Sequence, residues 1–268
     1  MVTFSRMMPI LLSSLLAWSQ SPKPAESIPT PIQTPARLKV AVDAGHGGDD
    51  TGAKGALQLK EKDVALALAK ALAEQLRGVG FEVLLTRSDD SFIPLWDRAR
   101  LANEAGADLF VSLHLNSSKS RIAKGSEVFF LSLDAGDADA AGVAALENGG
   151  SAGAPATPDS VVASILDDLA QKAYLQDSER LAVAIQNQLN RLGGIKERGV
   201  KQAPFVVLRG AAMPAVLVET VFISNPKEAA KLKDPAFLKS AADSITRGVR
   251  NYFASGGLTS KRKAIAAK

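Results

Sequence analysis

Between Leu38 and Phe253 the chain alternates between two apolar patterns, and that alternation limits its fold more than any other feature. Short apolar runs bounded by turn or polar residues read as buried strands: LKVAVDAG (38–45), FEVLLTR (81–87), LFVSLHLN (109–116), SEVFFL (126–131) and Ala215 to Glu219 within PAVLVETVFIS. Between them, spacings of three and four residues predict helices. From Glu61 onward, Val64, Leu68, Leu72 and Leu76 form one apolar stripe. Pro94 to Ala105 reads as a helix with proline near its first turn. A third pattern runs from Ser160 to Leu192, with Asp159 as the expected N-cap and Val161, Ile165 and Leu169 on one face. A fourth, over 235–253, aligns Phe237, Ala241, Ile245, Val249 and Phe253. Strands alternating with helices predict an α/β fold, with a mostly parallel sheet covered on both faces. The segment 134–159, rich in Ala, Gly, Asp, Ser and Pro, breaks the rhythm. A long polar excursion inside such a body is functional or disordered.

The ends read differently. Arg6 followed by the apolar stretch Met7 to Trp18, with small residues at Ala17 and Ser19, predicts a signal peptide over 1–19. A retained anchor is the alternative, and both place the body outside the cytoplasm, secreted and periplasmic. Five prolines over 20–36 predict an extended linker. The folded body is then 37–256, followed by a basic tail, 257–268. Lys261, Arg262, Lys263 and Lys268 account for the net charge of +4; subtracting those 4 bases from 32 leaves 28, equal to the 28 acids. A neutral body carries no basic stripe, so no nucleic-acid partner is expected.

The chain has no cysteine, which excludes disulfides, thiol nucleophiles and cysteine-ligated metals, and only two histidines, His46 and His114. Both fall just past or at the ends of predicted strands, the edge at which parallel sheets bind ligands. Glu61, opening the first helix, and Glu219, ending the strand AVLVE, belong at the same edge. Two imidazoles and one of these carboxylates suit zinc, with a fourth position for water. The second carboxylate is then free to move protons. The glycines of AGHGGDDTGAKG permit a tight loop around His46, and no GKS or GKT follows to make a phosphate loop. Asp43 reads as structural. Arg87 and Asn116, near strand ends, are placed either to touch substrate or to bond within the fold.

VAVDAGHGGDDTGAKG, KEKDVALALAKAL, LLTRSDDSFIPLWDRARLANEAGADLFVSLHLNSS and PAVLVETVFISNPKEAAKL, in this order and spacing, resemble the zinc-dependent N-acetylmuramoyl-L-alanine amidases of bacterial cell-wall remodelling. The resemblance spans about Leu38 to Phe253. It implies a mixed sheet of about six strands flanked by helices, Zn2+ bound by His46, Glu61 and His114, and Glu219 as the catalytic acid. It implies peptidoglycan as substrate, cut at the amide between N-acetylmuramic acid and L-alanine. The chain departs from the family pattern at Ala44, where proline is usual, and at Val221, where glycine is usual; neither departure removes a ligand or an acid.

The stretch 134–192 resembles the extra segment of division-associated amidases of Gram-negative bacteria, in which a helix covers the zinc cleft until an activator protein displaces it. That likeness implies autoinhibition, a role in daughter-cell separation and an activator docking on the insertion helix, with Val161, Ile165 and Leu169 as the docking face; the alternative is that this helix packs on the body. Glu147, in the helix-like ALENGG stretch, is the expected lid ligand; a solvated glutamate on a loop is the competing reading. Two other functions stay open from the residues alone: another zinc hydrolase, such as a carboxypeptidase or deacetylase, and a catalytically silent wall-binding module.

Overall fold

Six strands build one sheet in the order β2-β1-β3-β6-β4-β5. The computed structural model describes residues 37–149 and 160–258, with the backbone alone over 160–172. The signal and linker over 1–36, the N-cap Asp159, the residues Val161, Ile165 and Leu169 as a docking face, and the tail beyond 258 therefore lie outside the described residues or side chains. No helix among the described residues is long and apolar enough to cross a membrane.

Strands β1 (Lys39–Ala44), β2 (Glu82–Leu85), β3 (Leu109–Asn116) and β6 (Ala215–Phe222) run parallel, and β4 (Ser126–Leu131) joins β6 antiparallel. Strand β5 (Glu197–Ala203) pairs parallel to β4 at the edge. The sheet is thus mixed and mostly parallel, as expected. Two details differ. Strand β6 continues past Glu219 to Phe222, because its ladder with β3 resumes after a register shift between His114 and Asn116. Strand β5 carries the polar sequence ERGVKQA, which shows no apolar run, and it forms because it completes the β4 ladder.

Each strand alternates its side chains between two layers. Val40, Val42, Val111, Leu113, Val216 and Val218 face α1 (Glu61–Gly78), α4 (Ser160–Leu189) and α6 (Pro235–Ala254) in one continuous core. Ala41, Phe110, Leu217 and Phe129 face the opposite way, toward α2 (Leu95–Glu104), α3 (Ala138–Glu147) and the 3-10 turn at 206–208. Helix α5 (Pro226–Leu232), capped by Asn225, precedes α6. The expected insertion over 134–192 is not a separate appendage throughout. Leu181, Ala182, Ile185 and Leu189 of α4 are fully buried in the first core. Gly248 of α6 packs so closely on Ile185 that a Cβ there would lie 2.5 Å from its Cα. The C-terminal part of α4 is a layer of the body because its apolar stripe from Leu181 to Leu189 finds its partner in α6.

Candidate metal centre

On the α2/α3 face the strands change character along their length. Ala41, Phe110 and Leu217 are apolar; one pleat further toward the carboxyl edge stand Asp43, Ser112 and Glu219, with His114 beyond Ser112. Strand β4 runs the other way, so Phe129 comes after Glu127, and Glu127 sits opposite Glu219. The register also sets Glu219 beside His114. A polar band buried at one end of an apolar layer is therefore a direct product of the alternation.

Two loops complete the site. After β1 the chain turns through His46, whose φ of 61° lies in the left-handed region that non-glycine residues seldom occupy. Gly45 and Gly52 make the turn compatible with its neighbours: a Cβ on Gly45 would lie 2.4 Å from the His114 ring, and one on Gly52 2.6 Å from the His46 ring and 2.8 Å from Glu61. Arg98 holds the loop from beneath, donating to the carbonyls of Ala44 and His46 and pairing with Asp43 at 3.0 Å. Asp43 also accepts from Thr86 and Ser112. Burial works against the Asp43 charge, and Arg98 with the two hydroxyls outweighs it, holding the carboxyl below its ordinary range. Arg87 is buried and donates to the carbonyls of Ala44, Gly45 and Lys62, so it shapes the loop. Asn116 donates to Glu127.

His46, Glu61, His114 and Glu147 bring four donor atoms within 4.8 Å of one another. Glu61 Oε2 lies 3.2 Å from His46 Nε2, and Glu61 Oε1 lies 3.2 Å from His114 Nδ1. Glu147 Oε2 reaches both rings, at 3.1 Å from His46 Nε2 and 2.6 Å from His114 Nδ1. His46 Nδ1 lies 2.9 Å from Asp50 Oδ2, which orients the ring so that Nε2 faces the cluster. Both Glu219 oxygens are buried without a hydrogen-bond partner among the described residues, and His46 Nε2 and Glu147 Oε2 meet only the other members of the cluster.

Without a cation, the imidazoles themselves would have to balance the carboxylates. Burial opposes a charge on His46, yet Asp50, Glu147 and Glu61 pull it up to about 12. Burial likewise opposes a charge on His114, and Glu147 and Glu61 raise it to about 10. Glu61 is held far below the ordinary carboxylate range by the two histidines despite its burial. Glu219 goes the opposite way: burial, reinforced by the charges of Glu147, Glu61 and Glu127, pushes it well above that range.

Buried donors that converge without satisfying one another fit a divalent ion at their centre. Two imidazole nitrogens and carboxylate oxygens suit zinc, and the Asp50–His46 contact is the usual support for a ligating histidine. The structure brings His46, Glu61, His114 and Glu147 together and seats Glu219 beside them. Sequence reasoning missed Asp50, Arg98 and Glu127. Asp50 stands four residues after His46, a spacing that was visible. Arg98 and Glu127 gave no signal, because their partners are distant in the chain.

A sequence profile of the N-acetylmuramoyl-L-alanine amidases matches residues 40–251. The chain is 37% identical over 245 residues to the amidase AmiC of Escherichia coli O6:H1, covering 89% of this chain and 59% of that protein's length. It is 42% identical over 218 residues to AmiA of Escherichia coli K12, covering 80% of this chain and 75% of AmiA. The solved amidase from Clostridium difficile 630 superposes with a TM-score of 0.64 at 31% identity, over 82% of this chain and 99% of that one. With fold, buried donor cluster and sequence in agreement, the chain belongs to the N-acetylmuramoyl-L-alanine amidase family.

Proposed function

We propose that the protein hydrolyses the amide between N-acetylmuramic acid and the L-alanine of the peptidoglycan stem, with zinc held by His46, Glu61 and His114. The observation that carries this reading is the convergence of those three side chains at the carboxyl edge of the sheet, beside a buried, raised Glu219. Zinc at such a site acidifies a water to a pKa near 7 and polarises the carbonyl under attack. Glu219 takes the proton from the attacking water and delivers it to the departing alanine nitrogen. Asp50 keeps His46 oriented, and Arg98 and Arg87 hold the loop that presents it.

Glu147 decides the resting state. A catalytic zinc site keeps one position open, and the Glu147 carboxylate stands against both histidines where water would have to enter. Helix α3 is then an autoinhibitory lid, and activity requires a protein that displaces it, docking on the α3–α4 segment. A wall hydrolase silent until addressed suits daughter-cell separation, and its substrate requires the protein to act outside the cytoplasm, in the periplasm, after export by the 1–19 signal.

The test is digestion of purified peptidoglycan by the zinc-loaded protein, with Glu219→Ala and Glu147→Ala beside it, read by mass spectrometry. Stem peptides beginning at L-alanine, absent with Glu219→Ala and increased with Glu147→Ala, are the expected products. Shortened stems, deacetylated sugars or no release by any variant would replace this reading with a carboxypeptidase, a deacetylase or a silent module respectively.

A further inference from the structure

A cavity of about 310 Å³ lies beneath α3 on the β4–β5 side of the metal cluster, lined by Asn116, Glu127, Asp139, Arg198 and Phe222 among others. It shares Ser117 and Leu146 with the cleft that contains His46 and Glu147. The two adjoin at these residues, and Leu146 and Glu147 of α3 stand where they meet.

The wall of this cavity carries preset charge from Glu127 and Arg198, and Lys201, which lines a neighbouring cavity, meets the same Glu127. Glu127 is fully buried, and its Oε2 lies 3.2 Å from both Arg198 Nε and Lys201 Nζ. The Arg198 guanidinium is further fixed over the Phe222 ring, 5.0 Å from its centroid. One buried carboxylate thus faces two cations. The remaining charge is met from α3: Asp139 Oδ2 lies 3.4 Å from Arg198 Nη2, and Asp137 Oδ2 lies 3.3 Å from Lys201 Nζ. The cations are largely buried, at 19% and 14% exposure, whereas Asp139 and Asp137 are 73% and 50% exposed. Exposed anions on fixed cations bind weakly and exchange readily. Glu127 pairs in register with Glu219, so the carboxylate that holds these cations lies one strand from Glu219.

We propose that Arg198, supported by Lys201, is the subsite for a free carboxylate of the stem peptide, and that Asp139 and Asp137 occupy it as stand-ins while α3 covers the groove. The inference rests on the amidase reading and adds to it a determinant of substrate choice. When α3 lifts, Arg198 faces the groove, with Lys201 sharing Glu127 behind it. A guanidinium fixed by a buried carboxylate and over an aromatic ring is preorganised for a carboxylate in a way a mobile lysine is not. Lid and substrate then compete for the same charges, so an acidic stem itself favours opening.

The competing role, a latch that only holds α3 down, makes the opposite prediction for Arg198. Zinc-loaded wild type, Asp139→Asn, Arg198→Gln and Arg198→Lys are compared on muramoyl peptides whose stem carboxylates are free or amidated. Wild type and Asp139→Asn should prefer the free acid, with Asp139→Asn several-fold faster on it. Arg198→Gln should lower the ratio of kcat/KM for acid over amide by about tenfold, and Arg198→Lys should recover part of it. Calorimetry of the released stem peptide on Asp139→Asn, with and without Arg198→Gln, should show the same loss of affinity for the acid. Thermal unfolding checks that Glu127 tolerates the glutamine. A rise in activity on both substrates with Arg198→Gln would reduce Arg198 to a latch and overturn the subsite. So would an acid-to-amide ratio near one in Asp139→Asn. Turnover insensitive to Arg198 removes the subsite alone; no stem release even from Glu147→Ala removes the amidase reading and the subsite with it.

Discussion

Glu61 and Glu147 bring the same carboxylate to the same two imidazoles, but their helices hold them in opposite ways. Glu61 is the first residue of α1, where the helix dipole favours an anion. Its oxygens accept the N–H groups of Ala53 and Leu115, each at 2.9 Å. Behind it α1 buries Val64, Leu68, Leu72 and Leu76 against the sheet. Glu147 is the last residue of α3, at the end where the dipole disfavours an anion, and its Oε2 meets the two imidazoles but no backbone N–H. Helix α3 buries only Ala140, Val143 and Ala144. It is fastened by polar contacts instead: Asp137 caps its start, and Asn148 bonds Pro204 O and Val206 N at its end. Distance to the histidines does not distinguish the two glutamates. Their anchoring does: Glu61 is a fixture of the body, whereas Glu147 hangs on a helix held mainly by polar contacts.

The sharpest break of that contrast would be for both glutamates to matter equally to metal retention. Glu61→Ala should abolish zinc binding and turnover and lower stability by about 2–4 kcal/mol, because two buried N–H groups lose their acceptor. Metal content by atomic absorption and denaturant unfolding read this directly.

Next in size is the pH response with and without metal. In the metal-free protein, His46 and His114 have raised pKa values, so the stability they contribute is complete below pH 6.5. It is lost as pH rises from there through about 10 for His114 and about 12 for His46. Glu219, raised as well, adds to the same downward trend above pH 4.5. Zinc needs neutral imidazoles, so the loaded protein should instead weaken on acidification. Melting curves between pH 6 and 9.5, with chelator or with zinc, should slope in opposite directions; parallel slopes would count against metal at this cluster.

Glu147→Ala should leave zinc bound and raise basal turnover about tenfold or more, with under about 1 kcal/mol change in stability. Loss of zinc in this variant would make Glu147 a fixture too. The smallest effect belongs to Asn148→Ala, which removes two hydrogen bonds from the end of α3 and should loosen it by about 1–2 kcal/mol. Hydrogen exchange should show faster opening over 138–147 and unchanged protection in α1.

Strands β3 and β4 were legible to the residue, because fully buried apolar runs with turn residues at their ends have few other uses. Strand β5 was not, because ERGVKQA is an edge strand whose cations serve α3 and Glu127 rather than a core. Helix α3 was readable only as helix-like, since its buried face is made of small residues that leave a faint stripe. At the site, His46 and His114 stood out as the only imidazoles, and Glu61 and Glu219 as acids at element ends. Arg98 and Glu127 stayed hidden: an arginine inside a polar helix and a glutamate inside a strand look solvent-facing until their partners, 55 residues away at Asp43 and across β5, are in place.

The sequence by itself determined the chemical inventory and the scaffold. With two histidines and no cysteine, any metal site here had to combine imidazole with carboxylate, and the alternation of apolar patterns set a sheet between helices. Only the tertiary structure decided which carboxylates meet the histidines, and how firmly. Glu61 comes from 53 positions before His114, and Glu147 from 101 positions after His46. Periodicity tells which side of its own element a residue occupies, whereas coordination depends on separations of a few ångströms between elements. Those separations are fixed only when the helices have packed on the sheet.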